Sequence, residues 1–169
     1  MSKLSLIAAG VMALSTNAAF AATPLMSTDW TAQACDAWNK DSVLTGGLAD
    51  KWIHNDKGHG YKIIHLFRTD CGDTTMTEMK IVLRDGKAMC VYGGAVQTNP
   101  DFDVDYEMHA ETVKWNEMGA GDYGPMKAMM LGRLKFKGPK MEAMGVMGPF
   151  SAFLRLPGKI PGDAACPGK

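Results

Sequence analysis

GDYGPMKAMMLGRLKFKG, residues 121–138, carries a loop, a short helix and a strand in immediate succession. Pro125 suits a first helical turn, where its missing N–H costs nothing. Met126, Met129 and Met130 recur at helical spacing and share a face, and Gly132 supplies a stop. Arg133-Leu134-Lys135-Phe136-Lys137 then alternates with period two, so Leu134 and Phe136 point one way and the three cations the other. Gly138 ends this strand and Pro139 can open the next helix. Met141, Met144, Val146, Met147, Phe150, Phe153, Leu154 and Leu156 make that helix apolar on nearly every side, as in a helix that is deeply buried or that faces an apolar molecule. Gly148-Pro149 predicts a kink or split within it.

Upstream, Phe102 to Met108 alternates strictly, with Phe102, Val104, Tyr106 and Met108 inward and Asp101, Asp103, Asp105 and Glu107 outward. This acidic strand is a natural neighbour for the basic one that carries Arg133, Lys135 and Lys137, because opposite charges across a ladder help to set register. Glu111 to Met118 predicts a short helix with Trp115 and Met118 inward and Gly119 as its end. Earlier still, Asp85-Gly86 is a two-residue hairpin signal between strands at Thr75–Leu83 and Lys87–Tyr92. It sets Leu83 opposite Ala88, Ile81 opposite Cys90 and Met79 opposite Tyr92. Glu78, Lys80, Arg84 and Lys87 fall on the other face. Tyr61 to Arg68 is apolar on both faces and belongs in the middle of a sheet. Before it, Ser27 or Thr28 can cap a helix to Lys40 with Trp30, Ala34, Ala37 and Trp38 on one side. A second helical pattern from Asp41 to Asn55 is weakened at Gly46-Gly47.

Four cysteines are present, Cys35, Cys71, Cys90 and Cys166. Their even number, with no C-x-x-C spacing, predicts two disulfides rather than a redox or metal site. The hairpin register places Cys71 about seven residues along the strand from Cys90, roughly 23 Å at ~3.3 Å per residue, whereas a bridge needs Cα atoms within ~7 Å. A Cys71–Cys90 bridge is therefore disfavoured. Cys35 pairs with Cys71 or with Cys90, and Cys166 takes the other.

Lys3, the apolar run Leu4–Leu14 and Ala19-Phe20-Ala21 read as a secretory leader over residues 1–21. The run is too short to span a bilayer. Export permits disulfides, so the expected location is periplasmic or secreted. With 169 residues, the remainder suits one domain, residues 22–157, and a Gly- and Pro-rich irregular tail, 158–169. Lys plus Arg and Asp plus Glu balance at 18 each, so no basic surface argues for nucleic acid. Methionine is abundant, at 14 residues. Its flexible, polarizable side chain suits a wall that accepts more than one shape.

Gly121, Pro125, Ala128 and Gly132-Arg133-Leu134-Lys135-Phe136-Lys137-Gly138, followed by an apolar closing helix, resemble the signature of the sterol carrier protein type-2 family. The similarity covers about Gly60 to Leu156. It implies an α/β (α+β) fold, a five-stranded mixed sheet covered by helices and enclosing a hydrophobic tunnel, with no catalytic residues of its own. It also puts the acidic and basic strands side by side and the tunnel at the Met-rich elements. The wall residues expected are then Met126, Met129, Met130, Leu134, Phe136, Met141, Met144, Met147, Phe150, Phe153 and Leu154, with Trp115 and Met118 completing it. The leader, the cysteines and the absence of a C-terminal S-K-L-type address depart from the family's intracellular setting.

Other chemistries are weaker readings. His54, His59 and His65 in a Met-rich chain raise copper, but two flank a turn, one lies on a strand, and no M-x-M repeat occurs. Asp101, Asp103 and Asp105 alternate as a strand and lack the glycine of a calcium loop. No nucleophile elbow, phosphate loop or paired-carboxylate motif occurs, so no enzyme, metal or cofactor is expected. The expected function is noncovalent binding, storage or transfer of a lipid or other hydrophobic molecule by a monomer, with transient membrane or partner-protein contact. No convergent polar cluster is visible near the apolar stripe, so selection by size and apolarity is expected rather than by headgroup. A small interaction module that docks through its apolar helix is the competing class.

Overall fold

The computed structural model describes residues 23–168. The expected leader therefore lies outside the described residues. Five strands form one sheet: β1 (Lys62–Arg68), β2 (Thr77–Arg84), β3 (Lys87–Ala95), β4 (Tyr106–Ala110) and β5 (Lys135–Lys137), in the order β3-β2-β1-β4-β5. The sheet is mixed, since β1 runs parallel to β4 and the other pairs are antiparallel. As its two apolar faces predict, β1 is central, and all of its residues are buried.

Asp85 and Gly86 both adopt positive φ, 51° and 70°, the backbone of a tight hairpin whose twist matches its strands. The register holds for Leu83 with Ala88 and Ile81 with Cys90, then shifts between Lys80 and Ile81. Met79 therefore faces Gly93, not Tyr92, because Val91 is an extra residue on β3.

The helices are α1 (Thr28–Lys40), α2 (Ser42–Gly47), α3 (Lys51–His54), α4 (Thr112–Ala120), α5 (Pro125–Met130), α6 (Lys140–Gly145), α7 (Met147–Leu154) and α8 (Leu156–Lys159). Ser27 caps α1 through its hydroxyl, and the second helical pattern divides as expected, α2 ending at Gly46-Gly47 and a turn at residues 48–50 leading to α3. The main core lies between these helices and the sheet face carrying Ile64, Leu66, Met79, Ile81, Tyr106 and Met108. Buried indoles there find acceptors: Trp38 donates to the Ala88 carbonyl at 2.8 Å and Trp115 to the Phe67 carbonyl at 3.2 Å, as amphipathic rings must when buried.

The crossover from β3 to β4, residues 96–105, meets the opposite face at Glu78 and at the Ile63 amide. Glu78 lies on this face. It is fully buried, and its carboxylate accepts the Gln97 and Thr98 amides at 3.1 and 2.8 Å and lies 3.2 Å from His65 Nε2. The acidic tract is corrected, for residues 102–104 are turn rather than strand. Asp105 is buried and accepts the Ile63 amide at 2.7 Å and the Asp101 amide at 2.9 Å. Phe102 lies partly exposed. A carboxylate that terminates backbone groups at a crossover is worth more there than on a strand face. Only Glu107 remains to meet the basic strand, with Lys137 Nζ 2.8 Å from its carboxylate.

Cys35 bridges Cys90, and Cys71 bridges Cys166. The first ties α1 to β3 and the second ties the C-terminal segment to the turn after β1. Buried Arg68 reinforces the second tie, donating to the carbonyls of Leu25, Ala164 and Ala165 and to the Thr112 hydroxyl.

Two helix ends differ from expectation. Gly121, at φ 84°, ends α4. Gly119 instead lies against Gly158, where a Cβ on either would overlap the other's backbone. The apolar closing run divides at Val146, two residues before Gly148-Pro149, and continues through α8 into the tail expected to be irregular. Pro149 thus falls in the first turn of α7, where it is tolerated.

Candidate lipid-binding site

Tyr106 on β4 and Phe136 on β5 project onto the helical face, because those positions share the parity of Met108 and Leu134. Around them the indoles of α1 and α3 and the phenyl rings of α7 form a continuous aromatic series. Ring centroids are 6.1 Å apart for Phe153 and Trp38, 6.4 Å for Trp38 and Trp52, 6.0 Å for Trp52 and Tyr106, 5.5 Å for Tyr106 and Phe136, and 5.9 Å for Phe136 and Phe150. These rings, with Leu48, Ile64, Met108, Ala143, Val146 and Pro149, line an inner cavity of about 30 Å³.

Outside it lies an open groove of about 560 Å³, lined by Met126, Met129, Met130, Gly132, Leu134, Lys135, Phe136, Lys140 and Met144. Phe136 is common to groove and cavity. On the far side of α6, a third concavity of about 470 Å³ is lined by Gly47, Asp50, Lys51, Trp52, Asn55, Glu142, Gly145 and Val146. It shares Trp52 and Val146 with the inner cavity. One six-residue helix, α6, therefore borders all three spaces.

The expected wall residues divide among these spaces. Met126, Met129, Met130, Leu134, Phe136 and Met144 meet along the groove, and Phe136, Phe150 and Phe153 along the inner cavity. Trp115, Met118 and Leu154 are fully buried and line neither, so they serve as core. Met141 is 79% exposed and Met147 partly buried, and neither lines these spaces. The closing run is thus not buried on every side.

Trp38, Trp52, Tyr106 and Met108 escaped the sequence reading, because inward positions of a helix or strand look alike whether they touch a cavity or solid core. A polar cluster also escaped it. Lys62 is fully buried, its Nζ 2.7 Å from Glu142 Oε2, 3.1 Å from the Asn55 carbonyl and 4.8 Å from the Trp52 ring centroid. Tyr106 donates its hydroxyl to the same Glu142 oxygen and accepts from Trp52 Nε1 at 3.0 Å. Asn55 donates to Glu142 Oε1 at 2.8 Å. The expectation of no convergent polar cluster is corrected. Burial pulls the Lys62 ammonium below its ordinary pKa while Glu142 opposes the shift. Burial, then the Glu142 carboxylate, pushes the Tyr106 phenol far above its usual range. The available signal was Glu142 itself, the single charge between Met141 and Leu154.

A model of the SCP-2 sterol transfer family matches residues 62–151. The chain belongs to this family. Among solved structures, a conserved hypothetical protein of Thermus thermophilus, described as possibly a sterol carrier protein, superposes at TM-score 0.50 with 15% identity. That match covers 85% of this chain and 94% of the other. A crystal structure of sterol carrier protein 2 aligns over 80% of this chain and 98% of its own at 16% identity and TM-score 0.49. No curated protein sequence matches the chain. At such identity the Thermus thermophilus structure speaks to the shared fold alone.

Among the described residues, no group of three or more His, Cys, Asp or Glu is placed to hold a metal ion, and no helix is long and apolar enough to cross a membrane.

Proposed function

We propose that this protein binds a lipid or other hydrophobic molecule noncovalently and stores, solubilises or transfers it in an exported, oxidising compartment. The observation that carries this reading is the shared position of Phe136, which lines both an open methionine groove and an aromatic cavity. The groove, at about 560 Å³, has the size of a small-molecule site. The inner cavity, at about 30 Å³, has room for little more than a water molecule, so the ligand lies first along the groove and enters the cavity as it opens. Membership in the SCP-2 sterol transfer family supports the ligand class. The two disulfides support the compartment.

A buried methylene contributes ~0.8 kcal/mol, so a sixteen-carbon chain gains roughly 13 kcal/mol at most. Association offsets ~4 kcal/mol or more, which leaves micromolar affinity or somewhat better. The test is displacement of fluorescent fatty-acid and sterol probes from wild type, Met144→Ala and Met144→Glu, with thermal melts alongside. Met144 is 40% exposed in the groove. Met144→Ala should weaken binding and cost well under the ~2–5 kcal/mol of a buried truncation, whereas Met144→Glu should abolish binding. A wild type that takes up no lipophilic probe sinks the reading. Met130 and Met141, 76% and 79% exposed, favour a protein-docking surface as the second reading. Native mass spectrometry separates the two by a co-purifying small molecule or a captured protein.

A further inference from the structure

All three donors around Glu142 belong to the body of the fold: Lys62 to β1, Tyr106 to β4 and Asn55 to the end of α3. The acceptor alone sits on α6. Of the six residues of α6, only Ala143 is buried. The helix is bounded by Gly138 at φ 122° on one side and Gly145-Val146 on the other. Among the described residues its polar tie to the sheet is the Glu142 carboxylate, which also lines the third concavity, while Ala143 beside it lines the inner aromatic cavity.

We propose that α6 is a lid and that Lys62, Tyr106 and Asn55 form a receptor for a lipid carboxylate, whose place Glu142 holds while the lid is closed. This rests on the proposed lipid-binding function and narrows its ligand to a long-chain carboxylic acid. Entry exchanges one carboxylate for another on the same three donors, so the buried ammonium is never left without a counter-charge, the state that costs most. Glu142 passes to water on the exposed flank of α6, where its charge is solvated. The acyl chain then lies against Trp52, Tyr106 and Phe136, and movement of α6 joins the cavity to the methionine groove through Phe136. Charge-assisted hydrogen bonds of this kind are stronger than neutral ones, and an ester or alcohol cannot supply the anion that Lys62 requires.

The experiment titrates cis-parinaric acid and its methyl ester into wild type, Glu142→Gln, and the double variant Lys62→Met with Glu142→Leu. Melting curves are recorded with and without each lipid. Wild type should prefer the acid over the ester by about tenfold, the scale of one charge-assisted contact. Glu142→Gln should widen that ratio by a further tenfold or so, because the ligand then supplies the carboxylate that the three donors have lost. It should melt lower alone and recover with the acid but not the ester. The double variant should bind both probes alike. Binding of both probes with equal affinity by wild type, or an unchanged ratio in Glu142→Gln, overturns the carboxylate receptor and leaves the carrier function standing. Binding of neither probe by wild type and by both variants overturns the two together.

Discussion

At the level of single residues, the buried pair formed by Lys62 and Glu142 governs what substitutions do. Glu142→Ala strands a buried ammonium that lies 4.8 Å from the Trp52 and 5.2 Å from the Tyr106 ring centroid. Removing one partner of such a pair costs about 3–5 kcal/mol, whereas replacing both with apolar residues of similar shape is often near neutral. Chemical denaturation of Glu142→Ala should therefore show a large loss of midpoint, and Lys62→Met with Glu142→Leu should recover most of it. Equal losses in both would mean that the cost is packing rather than charge. The contrast with Met141 on the same helix is instructive, since that side chain is mostly solvated and its truncation should be silent within about 0.5 kcal/mol.

Elements differ in how firmly they are held. The β4–β5 ladder is short, with Glu107 opposite Lys137, Met108 opposite Phe136 and His109 opposite Lys135. Expected charge pairing between the acidic and basic strands thus reduces to one contact, Lys137 with Glu107. Lys137 is largely exposed and Glu107 is not, so a double-mutant cycle on this pair should give a coupling of about 1 kcal/mol or less. A cycle between Lys135 and Asp105 should give none, because Asp105 caps the crossover at Ile63 instead. Among the helices, α6 should exchange its amides faster than α7, which buries Phe150, Phe153 and Leu154. Hydrogen-exchange mass spectrometry checks that order, and protection of α6 equal to that of α7 would argue against a lid.

The whole molecule is closed by two covalent ties and by carboxylates that anchor distant segments. Cys71–Cys166 spans 95 residues, and removing it as Cys71→Ser with Cys166→Ser should cost about 2–4 kcal/mol, read from urea midpoints under non-reducing conditions. Acid should loosen the same assembly. Burial works to raise the Asp41 carboxyl, but Lys159 and the Val43 and Leu44 amides outweigh it and hold its pKa below the usual value. Burial likewise opposes, and the Thr112 hydroxyl and amide override it, at Asp70. Both folded pKa values are depressed, so the stability these groups contribute is complete above the unfolded carboxylate value of about 3.9. It is lost as pH falls through the folded values. Stability should be nearly level from pH 7 to about 5 in these two terms and fall below about 4. Asp41→Asn keeps a capping acceptor and should reduce that acid slope.

Local chemistry by itself determined much of this protein. The alternation of residues 133–137, the Asp85-Gly86 turn and the doubly apolar run of β1 depend on periodicity and backbone preference, which neighbours in sequence express. They led to β1, β2, β3 and β5, the central place of β1, the exclusion of a Cys71–Cys90 bridge and the resemblance to the family. Tertiary structure decided whatever depends on distance across the fold. Cys35 could meet Cys71 or Cys90 until α1 was laid on β3. Asp105 and Glu78 alternate like surface residues, yet the crossover that covers them turned both into buried acceptors. The methionines of α5 and α6 shared a helical pattern with Trp115, Met118 and Leu154, yet only packing separates a groove wall from solid core, since both are apolar. Lys62 and Glu142 lie eighty residues apart, and no spacing rule relates a lysine on a central strand to an acid on a closing helix. Their meeting follows from the place of α6 over the cavity, where a carboxylate supplies the counter-charge that a buried cation needs.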